Sequence, residues 1–161
     1  MNKTLILVRH GKAEKAGTEK PDFKRDLVER GEKDVFRNTT ELALQYTPEL
    51  IVSSPANRAY QTAKIIAKIF QIDKKDIVKE DSIYEASMSA LLHVINHLNN
   101  TKNCVLLTGH NPAFEYAVEY LTGKFINELS TAGIAVMQFP IDDWRMVSQS
   151  LGDLKFISTR I

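Results

Sequence analysis

The 161-residue chain contains one cysteine, Cys104, and this scarcity excludes a class of architecture: no internal disulfide can staple it, so its stability has to come from burial. A single thiol at the head of an apolar run also fits a reducing compartment, and a cytoplasmic location is expected. An excess of charge of either sign is missing as well. With 21 basic side chains against 20 acidic ones, no global field draws the protein to nucleic acid or to an anionic membrane surface, and neither partner is expected. No apolar stretch approaches the roughly 20 residues of a membrane span. The apolar N-terminal run is broken by Arg9 and His10 without a small-residue cleavage pattern, so neither anchor nor signal peptide is expected. Internal repeats, linkers and low-complexity tracts are lacking too, and the chain reads as one domain over 1–161.

What is present is an alternation of two periodicities. Short apolar runs at about 3–9, 50–53 and 104–108 do not alternate with polar residues, as expected for strands buried on both faces of a mainly parallel sheet. A fourth strand is expected at 134–139, with 143–151 returning beside it as a hairpin around Pro140, Asp142 and Asp143. Helical spacing appears in Val35, Leu42 and Tyr46 with Phe36 and Ala43, ending at Thr47 and Pro48. It recurs in Ala59, Ala63, Ile66, Ala67 and Phe70, in Leu91, Ile95 and Leu98 over about 88–99, and in Phe114, Ala117, Val118 and Leu121 from near Asn111. Strands alternating with helices imply right-handed crossovers and a three-layer α/β/α domain.

Three of the strands end in chemistry. Val8 leads into Arg9, His10 and Gly11; Val52 into Ser53, Ser54, Pro55 and Arg58; Thr108 into Gly109, His110, Asn111 and Pro112. Open α/β sheets place ligands at the carboxyl ends of their strands, so two arginines and two histidines should meet there. Ser54 with Pro55 and Asn111 with Pro112 read as N-caps followed by proline at the first helical position, and such helix starts favour anions. Arginine suits a phosphate because its planar fork grips two oxygens and keeps its proton at neutral pH.

These residues, together with Ala59, Gln61 and Thr62, resemble the histidine phosphatase superfamily. The Asp26, Leu27, Glu29, Arg30, Gly31 segment and Ile83, Tyr84, Glu85, Ala86, Ser87 look most like the SixA-type phosphohistidine phosphatases. The resemblance implies a phosphoglycerate mutase-like fold and a metal-independent phosphatase without a cofactor. In that reading His10 attacks phosphorus and becomes a phosphohistidine, Arg9, Arg58 and His110 hold the phosphoryl oxygens, and Glu85 occupies the region that supplies many members with a general acid. The expected substrate is phosphohistidine on a signalling or phosphotransfer protein. The alternatives are a small phosphoester or a phosphate-binding module without catalysis. Lys12 and Ala16 depart from the residues common in the superfamily, and the long insertion with which phosphoglycerate mutases cover their substrate is missing, which favours an open mouth.

The chemistry sets two protonation requirements. His10 has to be neutral to attack, with its other ring nitrogen donating to a backbone carbonyl, whereas His110 beside an anion is expected to have a raised pKa and stay protonated. His93 and His97, four apart, have zinc-binding spacing but no third ligand, and a solvated helix face is expected. Lys12, Lys15, Lys20, Lys24 and Arg25 could dock an acidic protein, although Glu14, Glu19, Asp22 and Asp26 are interleaved with them.

Overall fold

The computed structural model describes residues 2–158. Ten elements alternate along it: β1 (Lys3–Arg9), α1 (Glu29–Leu42), β2 (Leu50–Ser53), α2 (Asn57–Ile69), β3 (Val78–Lys79), α3 (Met88–Asn96), β4 (Cys104–Gly109), α4 (Ala113–Thr122), β5 (Ile134–Phe139) and β6 (Asp153–Ile157). They form one sheet in the order β3-β2-β4-β1-β5-β6. The first four strands in that order are parallel, and β5 runs antiparallel to both of its neighbours.

Each central strand is apolar on both sides because each faces a helical layer. Leu5, Leu7, Val105 and Leu107 pack with Leu91, Val94 and Ile95 of α3 and with Phe114, Ala117, Val118 and Leu121 of α4. Ile6, Val8, Ile51 and Leu106 pack on the other face with Val35 and Leu42 of α1 and Ala63, Ile66 and Ala67 of α2. This is the expected three-layer α/β/α domain with a mainly parallel sheet.

The expected tail strand is wrong in position. Residues 143–151 do not pair with β5; Trp144–Met146 form a short 3-10 turn, and β6 lies further on. The segment is claimed by burial. Trp144 is fully buried, its indole N–H donates to the Lys102 carbonyl, and the Asn96 amide donates to the carbonyls of Trp144 and Val147. A tryptophan offers more apolar area than a two-residue turn at Asp142 can hold in register. The chain then passes Gly152, where a Cβ would stand 2.7 Å from the Phe139 ring.

Helix boundaries also differ. Helix α1 stops at Leu42, and its buried stripe is Gly31, Val35, Thr39 and Leu42, leaving Phe36 and Ala43 exposed. Helix α3 ends at Asn96, earlier than 99, although Leu98 still packs on the core. The two-residue β3 carries no periodicity of its own, and its pairing with β2 is set by tertiary contact.

One close approach fixes where the β1 loop can run. Gly11 and Gly31 face each other: a Cβ on Gly11 would lie 2.7 Å from the Gly31 carbonyl oxygen, and a Cβ on Gly31 would run into the Lys12 carbonyl. Backbone cannot yield as a flexible side chain can. Gly31→Ala is therefore expected to destabilise the fold by about 1–3 kcal/mol, read as a lower midpoint in chemical denaturation; an unchanged midpoint would show that the loop relaxes freely.

Candidate active site

The sheet register brings the site together. Arg9 of β1 is paired with Gly109 of β4, and the next residue on each strand is a histidine. The His10 N–H donates to the Gly109 carbonyl (3.0 Å), which places the His10 and His110 rings with centroids 5.3 Å apart. Strand β2 lies on the other side of β4, where the Ser54 N–H donates to the Thr108 carbonyl, so the chain leaving it brings Arg58 in from the first turn of α2. His10 and His110 are each 8% exposed and Arg58 is 6% exposed, so the three stand together, largely buried, at the carboxyl ends of the strands.

Two hydrogen bonds fix the His10 tautomer. Nδ1 lies 2.7 Å from the Gly11 carbonyl oxygen, which can only accept, so the proton is on Nδ1. The Arg58 Nε–H points at His10 Nε2 at 3.3 Å, which needs a lone pair there. Burial, opposed by the Gly11 bond and reinforced by Arg58, Arg9 and Arg25, holds the His10 pKa down to about 4, so the ring is neutral. The sequence requirement for a neutral histidine with a carbonyl partner is met, and that carbonyl is its neighbour's. Gly11 is itself tied by its N–H to Thr62 Oγ1 (3.1 Å), whose hydroxyl donates to the Arg58 carbonyl.

The protein's own groups act on His110 in the opposite direction to the expected anion. The expected raised pKa counted the charge of a phosphate dianion; the groups the protein itself supplies are mostly cationic. Burial first, then His10 and Arg58, push His110 down to about 3. Its Nε2 lies 2.7 Å from Ser54 Oγ, and Nδ1 has no hydrogen-bond partner among the described residues.

The expected caps are put to other uses. Helix α2 begins at Asn57, and Ser54 instead serves His110 while accepting from the Ala56 N–H at 3.3 Å. Helix α4 begins at Ala113; the Asn111 amide donates sideways to Glu115 and to the Leu129 carbonyl. That same carbonyl accepts from Arg9 Nη1 (3.0 Å), so one loop orients Arg9 and the approach to α4.

Asp22 and Tyr84 were not singled out as site residues by the sequence. The Asp22 carbonyl accepts from Arg58 Nη1 (2.8 Å), and its carboxylate takes Arg58 Nη2 (3.2 Å), the Tyr84 hydroxyl (2.7 Å) and the Nε and Nη2 of Arg25. The Tyr84 bond, with Arg25 and Arg58, holds the Asp22 carboxyl well below the usual carboxylate range, and Asp22 pushes Tyr84 up to about 12. The only advance signal was the Asp22 to Arg25 spacing within a mixed charge run. Much of that run is spent internally: Lys20 pairs with Glu14 and Asp26, and Asp26 also accepts from Gln61 and Asn57.

Glu85 is exposed, has φ 55°, and makes no hydrogen bond or ion pair among the described residues; it stands beside Tyr84, whose ring packs against His110 with centroids 5.6 Å apart. His93 and His97 stack with centroids 4.0 Å apart, and His97 Nδ1 binds the His93 carbonyl. Among the described residues no three His, Cys, Asp or Glu side chains gather into a metal-binding group, and no helix is long and apolar enough to cross a membrane.

The sequence model of the histidine phosphatase superfamily (branch 1) matches residues 5–91, more than half of the chain. The chain belongs to this superfamily. It is a phosphatase by that membership, and the fold agrees from end to end. A protein assigned as the phosphohistidine phosphatase SixA of Agrobacterium tumefaciens is 28% identical, with a TM-score of 0.81 over 98% of each chain. The SixA counterpart from Nakamurella multipartitia is 19% identical, with a TM-score of 0.84 over 100% of this chain and 98% of that one. A phosphoserine phosphatase mutant from Entamoeba histolytica, solved with phosphoserine, is 16% identical, with a TM-score of 0.68 over 96% of each chain. The latter two share the fold alone. No curated protein matches the chain by sequence.

The depressed histidines give this phosphatase a defined acid response. An exposed imidazole titrates near 6.5, so below that pH the unfolded chain binds protons that folded His10 and His110 refuse until about 4 and 3. Their contribution is complete above about pH 6.5 and is lost as the pH falls, at about 1.4 kcal/mol per unit of depression. Between pH 7.5 and 4.5 the unfolding temperature should fall more steeply for wild type than for His110→Gln. Parallel curves would show that His110 is not held neutral.

Proposed function

We propose that the protein is a metal-independent phosphatase working through a phosphohistidine on His10, and that its substrate is phosphohistidine on a signalling or phosphotransfer protein. The observation that carries the mechanism is the His10 tautomer: a neutral ring with Nδ1–H on the Gly11 carbonyl and the Nε2 lone pair facing Arg58 Nε beside His110, available to phosphorus once Arg58 turns to the phosphoryl oxygens. Nε2 attacks phosphorus, the bond to the leaving group breaks with its electron pair going to that group, and water then releases inorganic phosphate and restores His10.

Charge in such a transfer spreads over the equatorial oxygens, so preorganised donors carry most of the catalysis. Arg58 and Arg9 supply guanidinium donors, and His110 Nδ1 is the ring nitrogen left for a phosphoryl oxygen. A bound dianion opposes the effects that depress His110, so this ring takes up its proton as the substrate arrives. No cofactor takes part. The substrate choice is supported by the 28% identity to the Agrobacterium protein over nearly the whole chain. A phosphorylated protein in the cytoplasm is the partner that fits. For a small phosphoester, the alternative donor, Glu85 is the carboxyl beside the pocket that would protonate the leaving oxygen.

Mass spectrometry of enzyme mixed with a phosphohistidine protein and quenched without acid tests this reading. A phosphate adduct should appear on His10, decay as substrate is consumed, and be lost in His10→Ala. Arg58→Ala should lower turnover by about 10²- to 10³-fold, the usual effect of removing one preorganised donor. Turnover by His10→Ala, or preference for a small phosphoester in a panel run alongside, would overturn the mechanism or the substrate respectively.

A further inference from the structure

A line of rings runs from the nucleophile to the surface. His10 and His110 are 5.3 Å apart, His110 and Tyr84 5.6 Å, and Tyr84 and Phe23 5.2 Å, the last two contacts edge to face. The outermost member, Phe23, is exposed. Beside this line, half-exposed, stands the Asp22 carboxylate, on the Tyr84 hydroxyl through Oδ2 and on Arg25 through Oδ1. The mouth of a phosphate pocket is an unexpected place for an anion. A carboxylate there repels an incoming dianion and occupies Arg58, one of the groups meant to bind it. A mouth built to admit phosphate alone would do better without it.

We propose, building on the reading above, that Asp22, Tyr84 and Phe23 form the subsite for the leaving imidazole of a phosphohistidine, and that Asp22 selects a nitrogen leaving group over an oxygen one. When the phosphoryl oxygens take over Arg58, Asp22 Oδ2 is released to accept a hydrogen bond from the ring nitrogen that does not carry phosphorus. The aromatic pair receives the flat, cationic ring against a ring face, where the quadrupole is negative.

The chemistry balances without a further acid. A phosphohistidine protonated on its distal nitrogen has a cationic ring. His10 Nε2 donates its lone pair to phosphorus, the P–N bond breaks, and its electron pair returns to the departing nitrogen. The group that leaves is neutral imidazole, still holding its distal proton. A carboxylate on that proton favours the reactive, protonated form of the substrate. A phosphoester gains nothing from this arrangement, because its leaving alkoxide needs a proton on the departing oxygen and Asp22, kept ionised by Tyr84, Arg25 and Arg58, has none to give. An exposed Glu85 with no fixed partner is then no handicap for the nitrogen substrate.

The test compares two donors of similar size, free phosphohistidine and phosphoserine, in wild type and in Asp22→Asn. The variant should lose at least about tenfold in kcat on phosphohistidine, the size of a charged hydrogen bond. On phosphoserine it should gain severalfold, because the opposing carboxylate is gone. Asp22→Glu should recover part of the phosphohistidine rate. Equal losses on both donors, or no loss on phosphohistidine, would overturn the assignment. Phe23→Ala is an independent probe, expected to raise the KM for phosphohistidine at least fivefold more than that for phosphoserine; equal effects would count against the subsite even if Asp22→Asn failed to fold. Wild-type enzyme that turns over phosphoserine but not phosphohistidine would refute the functional reading itself, a result visible before any variant is made.

Discussion

The hydrogen bond from His10 Nδ1 to the Gly11 carbonyl is the contact on which the rest of the site depends. It assigns the proton to one nitrogen and leaves the lone pair on the other, where Arg58 Nε–H meets it, and it works only while the carbonyl of the very next residue stays within reach of the ring. That path is tight. Gly11 must lie against Gly31 of α1 and give its N–H to Thr62 Oγ1, whose hydroxyl donates in turn to the Arg58 carbonyl. The glycines in the loop and helix, the threonine of α2 and the paired ends of β1 and β4 thus all serve the orientation of one imidazole. Propensity alone would not choose a glycine within the first turns of a helix; close backbone approach does.

Electrostatically, the pocket is held in a state of deliberate imbalance. Burial and neighbouring cations keep both histidines uncharged, so the interior carries the fixed charge of its arginines without adding to it. The protein balances this with the Asp22 carboxylate, held by Arg25 and Tyr84 on a loop that is otherwise braced by its own ion pairs. Exposed pairs of that kind add little to stability. Their value lies in holding residues 20–26 in one shape, which decides where Asp22 points.

The gathering of Arg9, His10, Arg58 and His110 was legible because residues adjacent in a parallel register must share one end of the sheet, and three apolar runs each terminated in a reactive side chain. The layers were legible because their strands were apolar on both faces. Helix faces were read less well: Phe36 sits at core spacing yet is exposed, since α1 ends at Leu42 and small or polar residues such as Gly31 and Thr39 complete its buried stripe. The tail was misplaced because hairpin signals at Pro140 to Asp143 are local, while the seat of Trp144 is made by residues 96–102, far away in sequence. Asp22 looked like one more acid in a mixed run, and its role comes from contacts to residues 36 and 62 positions along the chain, which no spacing rule encodes. His110 showed the same limit in electrostatic form, for its protonation depends on which charges are nearby and not on its motif.

The two borders of the sheet have a consequence of another kind. A strand at an open edge is a template for another chain to pair with, and long flat edges invite aggregation. Here one border is only Val78 and Lys79 long, with the Lys79 ammonium 4.1 Å over the Tyr60 ring. The opposite border, β6, carries the Asp153 to Lys155 ion pair and meets β5 across a register break at Val136 and Met137. Both borders are blunted, one by brevity and one by charge and irregularity, so the sheet that concentrates the reactive groups at its top offers little along its sides for growth by strand addition.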